Sequence, residues 1–248
     1  MSTYVTTGFV LNARAWREGD RLYTIYTERQ GKVELIAAGS QKSASKLAPH
    51  LAPFAQVEVM VARGKQFDRL AGASVHEVYL KPPYELPTVV LGTALLEVVD
   101  ALTRPLEPEP RLHLLLQGAL KELGGLPPAG DSWRAPARWL LAHFFVEALK
   151  LTGFGVQLAH CEQCRGELID PVSFNWSRHG FFHQRHLPAG DSALVVSAEA
   201  LVWFQRAARH GVARGDELPP SALAFLTDYV TGHVGRELYT LRVLRSIL

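Results

Sequence analysis

The hydrophobic residues of this chain change period once, at Lys81-Pro82-Pro83-Tyr84 and Pro87, and that change commits it to a β-rich beginning and a helical remainder. Proline supports neither a central strand nor a helix interior, so the segment is a natural boundary. Before it the period is mostly two. Phe9-Val10-Leu11, Leu22 to Thr27, Lys32 to Ile36, Gln56 to Val61 and Phe67 to Leu70 are rich in β-branched and aromatic residues and read as strands. The last two are joined across Arg63-Gly64-Lys65-Gln66, a short glycine-containing turn of hairpin type.

About five short strands fit a small closed barrel, because closure removes exposed sheet edges, and the oligonucleotide-binding barrel, or OB-fold, is the commonest five-stranded solution. After the boundary the pattern is helical. Leu112, Leu115, Leu116, Ala119 and Leu123 form one apolar stripe, and Val89 to Leu102 and Arg138 to Leu151 predict two more helices, the latter ending ahead of Gly153 and Gly155. Ser197 stands at an N-cap position before Leu201, Phe204 and Ala208, and Pro219-Pro220-Ser221 opens a helix that runs to about Gly232. Leu238, Leu241, Leu244 and Leu248 give the last helix its apolar face. The expected fold is therefore α+β and multidomain: an OB-fold nucleic-acid-binding domain over 1–82 and an α-helical domain over 83–248, interrupted by an insertion at 157–190. The longest apolar stretches, such as Leu95 to Val99, fall far short of the roughly 20 residues of a membrane helix.

That insertion contains the only two cysteines, Cys161 and Cys164, and, after eighteen intervening residues, the pair His183 and His186. A two-residue gap lets a tight turn aim two side chains at one ion, and two such pairs complete the tetrahedral shell of a closed structural zinc site. Zinc held by Cys161, Cys164, His183 and His186 is a staple, leaving no position for a reactive water. Phe174, Trp176, Phe181 and Phe182 are placed to shield it, and Arg178 and Arg185 to remain exposed. His160 and His179 are alternative ligands, and a reduced pair packed in a loop is the plain alternative. A disulfide is the third. With no signal peptide and no third cysteine, the expectation is a reduced, cytoplasmic chain.

Charge is uneven along the chain. Residues 1–83 hold eleven Lys/Arg against seven Asp/Glu, a balance of +4, while 84–248 hold fifteen against seventeen, a balance of −2. The basic residues concentrate in the connections. Gly39-Ser40-Gln41-Lys42-Ser43-Ala44-Ser45-Lys46 is small, polar and basic, and reads as a mobile loop. With Arg14, Lys32, Arg63, Lys65 and Arg69 it predicts a groove that follows phosphates, and Lys42 and Lys46 supply its flexible side. Trp16, Tyr23, Tyr26, Phe54 and Phe67 are interleaved with these charges; most belong in the barrel core, and Trp16, between Arg14 and Arg17, is the expected exposed ring for stacking on bases.

Catalytic motifs are missing. Gly64-Lys65 is followed by Gln66 and position 59 is Val, which breaks a P-loop; Gly153 and Gly155 lack the third glycine at Leu158; His179 and His183 lack the HExxH glutamate; no serine has a nucleophile-elbow context. Glu18 and Asp20 read as solvated carboxylates. The chain is therefore not expected to be an enzyme. Two other classes remain open: a protein-interaction scaffold whose barrel holds a partner peptide, and a metal-dependent hydrolase whose ion keeps an open position.

Taken in order, Gly8-Phe9-Val10-Leu11, Arg17-Glu18-Gly19-Asp20-Arg21-Leu22, Ile25-Tyr26-Thr27, Gly31, the loop Gly39 to Lys46, the helix Phe145 to Gly153 and the closing Leu238 to Leu248 resemble the RecO family of bacterial recombination mediator proteins. The resemblance spans the whole chain. It departs in one place, since the family often carries four cysteines in the insertion and His183 and His186 occupy the second pair here. The resemblance implies a non-catalytic DNA repair and recombination protein that binds single- and double-stranded DNA and anneals complementary strands. It further implies that the protein works with RecR to replace single-strand binding protein by RecA, in the cytoplasm at the nucleoid.

Overall fold

The computed structural model describes residues 2–42, 45–187, 190–216 and 218–248. Ser43 and Ala44 of the basic loop, and Pro188 and Ala189 of the insertion, lie outside the described residues. Two compact units make up the chain, Met1–Pro127 and Pro128–Leu248.

The first unit is built on a closed barrel of β1 (Thr3–Ala15), β2 (Arg21–Thr27), β3 (Gly31–Ala37), β4 (Ala55–Ala62) and β5 (Asp68–Val78), in the order β1-β2-β3-β5-β4, an OB-like arrangement. Closure rests on β1. Its first half pairs with β4 from Thr3↔Ala62 to Phe9↔Gln56, and its second half pairs with β2 as far as Ala15↔Arg21. A bulge between Val10 and Asn12 separates the halves and bends the strand from one neighbour to the other. Gly8 sits at the crossover, where a Cβ would lie 2.5 Å from the Tyr26 carbonyl oxygen. A short parallel pairing, Leu35↔Asp68 and Ile36↔Arg69, closes the ring.

Alternation then sorts the side chains. Val10, Tyr23, Ile25, Val33, Leu35, Val57, Val59, Val61 and Leu70 fill the interior, and Leu51 packs against them after a 3-10 turn at Ala48–His50. Each fully buried Val, Leu or Ile contributes roughly 1.5–3 kcal/mol, so this alternating set fixes the register.

The unit continues past residue 82 through α1 (Leu86–Leu102) and α2 (Pro110–Gly124). Pro87 is tolerated in the first turn of α1, whose orphan N–H groups need no intrahelical partner. Outward-facing apolar residues of the barrel require this cover. Phe9 is 1% exposed with its ring 4.9 Å from that of His113 on α2, and Tyr26, 0% exposed, exchanges hydrogen bonds with the backbone of Glu109. Lys32 Nζ is held by the carbonyl and carboxylate of Asp100 on α1.

The second unit packs α3 (Asp131–Leu151), α4 (Ala198–His210), α5 (Pro220–Val234) and α6 (Tyr239–Ile247) with a small sheet. Pro136 lies inside α3 near its start, so the helix begins earlier than the expected Arg138. Ser197 caps α4 by accepting from the Ala200 N–H at 3.1 Å. The 157–190 insertion is more ordered than a loop. Its β6 (Val172–Asn175) and β7 (Gly180–His183) form a hairpin, joined on the other side of β6 by β8 (Ala193–Val196) in the order β7-β6-β8. Phe174 and Phe181 pack from this sheet onto Tyr229 of α5. Among the described residues no helix is long and apolar enough to cross a membrane.

Candidate metal centre and nucleic-acid interface

The insertion brings Cys161, Cys164, His183 and His186 together, with one ligand atom from each and all four atoms within 4.8 Å of one another. Two devices place them. The backbone of Cys161 donates to the Gly166 carbonyl and accepts from the Arg165 N–H at 2.8 Å, closing a turn in which Arg165 takes a left-handed φ of 59°. His183 ends β7 and His186 ends the 3-10 turn that follows, so the hairpin delivers the second pair. The Glu162 N–H bond to the Phe181 carbonyl, 3.0 Å, ties the two halves.

The spacing suits a tetrahedral ion. Cys161 Sγ lies 3.4 Å from His186 Nδ1 and Cys164 Sγ lies 3.5 Å from His183 Nδ1. Zinc–sulfur and zinc–nitrogen bonds at a tetrahedral angle set such an S···N edge at about 3.6 Å. His183 Nε2 lies 2.9 Å from the Glu167 carbonyl and donates to it, which leaves the lone pair on Nδ1 facing the sulfur. Burial alone raises the Cys161 thiol, but the Cys164 N–H, then the His186 ring, then the N–H groups of His183 and Gln163 outweigh it and hold the pKa down to about 5. The thiolate is the ligating form. Both cysteines are free thiols. His160 and His179 stand outside the group: His160 Nε2 accepts from Arg165 at 2.6 Å, and His179 stacks beside His233. The donor set and its spacing fit zinc.

The candidate phosphate contacts fall in two places. Register puts Arg14, Leu22, Ile36 and Arg69 in one row across β1, β2, β3 and β5, on the outer face of the barrel, with Asn12, Thr24 and Glu34 in the next. A cavity of about 660 Å³ lies along this face, reaching Arg14, Lys32, Glu34, Phe67 and Asp68. Arg14 pairs with Glu34 at 3.4 Å, both side chains well exposed, a pair weak enough to exchange for a phosphate. Lys32 differs. Its side chain is 13% exposed and bound to Asp100 at 3.2 Å, so it anchors α1 and has little reach into the groove.

The connections hold the rest, and two of their segments, at Gln41-Lys42 and at Phe67, meet the β1–β2 turn. Arg63 and Lys65 are exposed in the β4–β5 connection, whose Phe67 ring lies 5.0 Å from Trp16. Gln41 donates its N–H to the Gly19 carbonyl, and Lys42 Cε lies beside Gly19. Lys46 is exposed further along. The described start of the expected mobile loop is thus anchored: Gly39 donates to Asp20 at 2.7 Å, and Ser40 is 4% exposed. Three of the five rings, Tyr23, Tyr26 and Phe54, are buried as expected, but Trp16 is half-buried and Phe67 is the exposed one at 39%. Asn12 and Thr24 escaped sequence reasoning because only the register places them in the groove.

Comparison with known proteins agrees along the whole chain. The family model described as Recombination protein O N terminal matches residues 1–79, and that described as Recombination protein O C terminal matches residues 84–242. A protein of Pelotomaculum thermopropionicum named DNA repair protein RecO is 27% identical over 246 residues, 96% of this chain and 92% of that one. Proteins of the same name from Frankia casuarinae and Geobacter metallireducens are 33% and 32% identical over 168 residues, 67% and 68% of this chain. Those two matches span just under two thirds of the relatives' length, 66% in each.

Proposed function

The chain belongs to the recombination protein O family, and from that premise we propose that it is a non-catalytic DNA-binding recombination mediator acting in DNA repair. In this reading the barrel, over 1–82, holds the sugar-phosphate backbone of single- and double-stranded DNA. The protein anneals complementary strands and, with RecR, helps RecA replace single-strand binding protein, in the cytoplasm at the nucleoid.

One observation carries the reading: the outer row Arg14-Leu22-Ile36-Arg69 runs beside a cavity that Arg14 lines and that ends at Gln66 and the exposed Phe67 of the connection carrying Arg63 and Lys65. Arg14, Arg69, Arg63, Lys65, Lys42 and Lys46 are the proposed phosphate contacts. Lys32 is the one member of the expected set whose charge is largely satisfied within the protein. Phosphate contacts position a strand without reading its sequence, and a strand held by its backbone keeps its bases free to pair. Trp16 and Phe67 offer a sequence-tolerant stacking surface at the edge of the groove.

Cys161, Cys164, His183 and His186 are the proposed zinc ligands, and bound zinc supplies folding energy to the insertion without chemistry of its own. Four protein donors complete a tetrahedral shell, which favours a staple over a hydrolytic site. The test is annealing of two dye-labelled complementary strands followed by energy transfer, with and without single-strand binding protein. The protein should accelerate pairing in both cases and the Lys42, Lys46, Arg63, Lys65 quadruple alanine variant should not. Pairing at the uncatalysed rate with the wild-type protein would remove the proposal.

A further inference from the structure

The C-terminal unit contains a cavity of about 340 Å³ that the barrel groove does not use, walled by Phe154, Phe174, Phe181, Tyr229 and His233, with Glu162 at one side. That volume lies at the lower end of small-ligand sites, which run from about 300 to 1,000 Å³. His233 is its centre. Its ring lies 4.4 Å from Tyr229 and 4.9 Å from Phe154, and His179 lies nearly parallel to it at 6.3 Å. His233 Nε2 is buried and has no hydrogen-bond partner among the described residues. Burial, reinforced by the neighbouring His179, pushes the His233 pKa below its ordinary value and keeps the ring neutral.

The hairpin turn is shaped toward the cavity. His179 holds a left-handed φ of 49°, and Asn175 Oδ1 accepts from the Arg178 N–H at 2.9 Å to fix the turn. The result brings the His179 ring alongside His233. The Glu162 carboxylate is paired with Arg165 at 2.9 Å, so it has acceptor capacity without an uncompensated charge.

This chemistry discriminates among ligands. A phosphate or an acidic peptide brings a like charge to Glu162; an alkyl group leaves Glu162 unmatched; an ammonium must compete with Arg165 and His160 for the carboxylate. A planar heterocycle with ring or exocyclic N–H groups satisfies the ring walls and the Glu162 acceptor together. We propose that this cavity receives a single everted nucleobase of a bound single strand, with little sequence preference. The proposal rests on the DNA-binding reading above and adds to it a contact in the second unit.

The test is photocross-linking of the full chain to a single strand containing iodouracil, followed by mapping of the attached peptides. Gln157, an exposed residue at the cavity, is replaced by tryptophan to fill it, and His179→Ala removes one exposed ring. The wild-type protein should cross-link through peptides containing Phe154 or Tyr229 to His233. Gln157→Trp should abolish those cross-links and weaken single-strand binding about tenfold, the lower range for one stacked base; His179→Ala should reduce their yield at an unchanged melting temperature. Cross-links confined to residues 1–127 would overturn the cavity proposal and leave the DNA-binding reading intact. Unaltered cross-links and affinity in Gln157→Trp would also overturn it, and absence of any salt-sensitive binding by the wild-type protein would overturn both.

Discussion

Replacing His183 by alanine removes two things at once, a proposed metal donor and the hydrogen bond from Nε2 to the Glu167 carbonyl. The first loss reopens the segment between the two ligand pairs. A cross-link across roughly 20 residues is worth about 3 kcal/mol in the chain-entropy treatment. The second leaves a carbonyl without its donor, at about 1 kcal/mol. A loss of about 4 kcal/mol lowers the melting temperature by on the order of 10 °C in a chain of this size. His183→Cys separates the two contributions, because a thiolate restores the fourth donor while the Glu167 bond stays lost; it should recover most of the melting temperature and all of the metal. The assays are metal content of the purified protein, thermal unfolding, and single-strand affinity measured well below both melting points. Affinity should change less than about twofold, since the proposed phosphate contacts lie in the barrel. A His183→Ala protein that keeps its metal and its melting temperature, or one that loses DNA binding well below its melting temperature, would refute the reasoning.

Lys32→Ala should lower stability by about 1–3 kcal/mol, the range for charge-assisted hydrogen bonds, in urea unfolding, yet leave the salt dependence of DNA binding unchanged, because its ammonium is held by Asp100. Gly31→Ala should destabilise more than an ordinary surface change, by about 2 kcal/mol or more, since φ is +67° and the new Cβ would stand 2.4 Å from the Glu107 carbonyl oxygen; thermal unfolding reads this directly. His113 is buried on α2 and its pKa is lowered from 6.5 by burial above all, so the unfolded chain binds the proton more readily. Its contribution to stability is full above the unfolded value and is lost as pH falls through the folded one, so His113→Phe should flatten the decline in unfolding free energy below about pH 6.5. An unchanged decline would assign that dependence to other groups.

The barrel was legible where alternation was clean. Tyr23, Ile25, Val33, Leu35, Val57, Val59 and Val61 face inward and their strands begin and end near where the pattern does. β1 was legible only at Phe9 to Leu11, because its outward residues include Thr3, Thr7, Asn12 and Arg14, and its full length serves two partners in turn. β5 runs to Val78 through Ala71-Gly72-Ala73-Ser74, a stretch with weak strand preference that β4 holds by pairing. The four-residue β6, β7 and β8 are too short to show a period. At the site, ligand spacing pointed to the four candidate donors that the fold brings together, but the carbonyl bonded to His183 carries no side-chain signal. Lys32 is the instructive case among the cations. A lone Lys in a strand looks available, and only the fold brings Asp100, 68 residues away, against it.

The central claim is that the barrel holds DNA by its phosphates, and a salt titration of single-strand binding tests it most directly. The logarithm of affinity should fall linearly with the logarithm of salt concentration. Replacing Lys42, Lys46, Arg63 and Lys65 together should reduce that slope by about 3, as expected for four lost contacts on a single strand. A slope that is flat in the wild-type protein, or the same in the quadruple variant, would contradict the account.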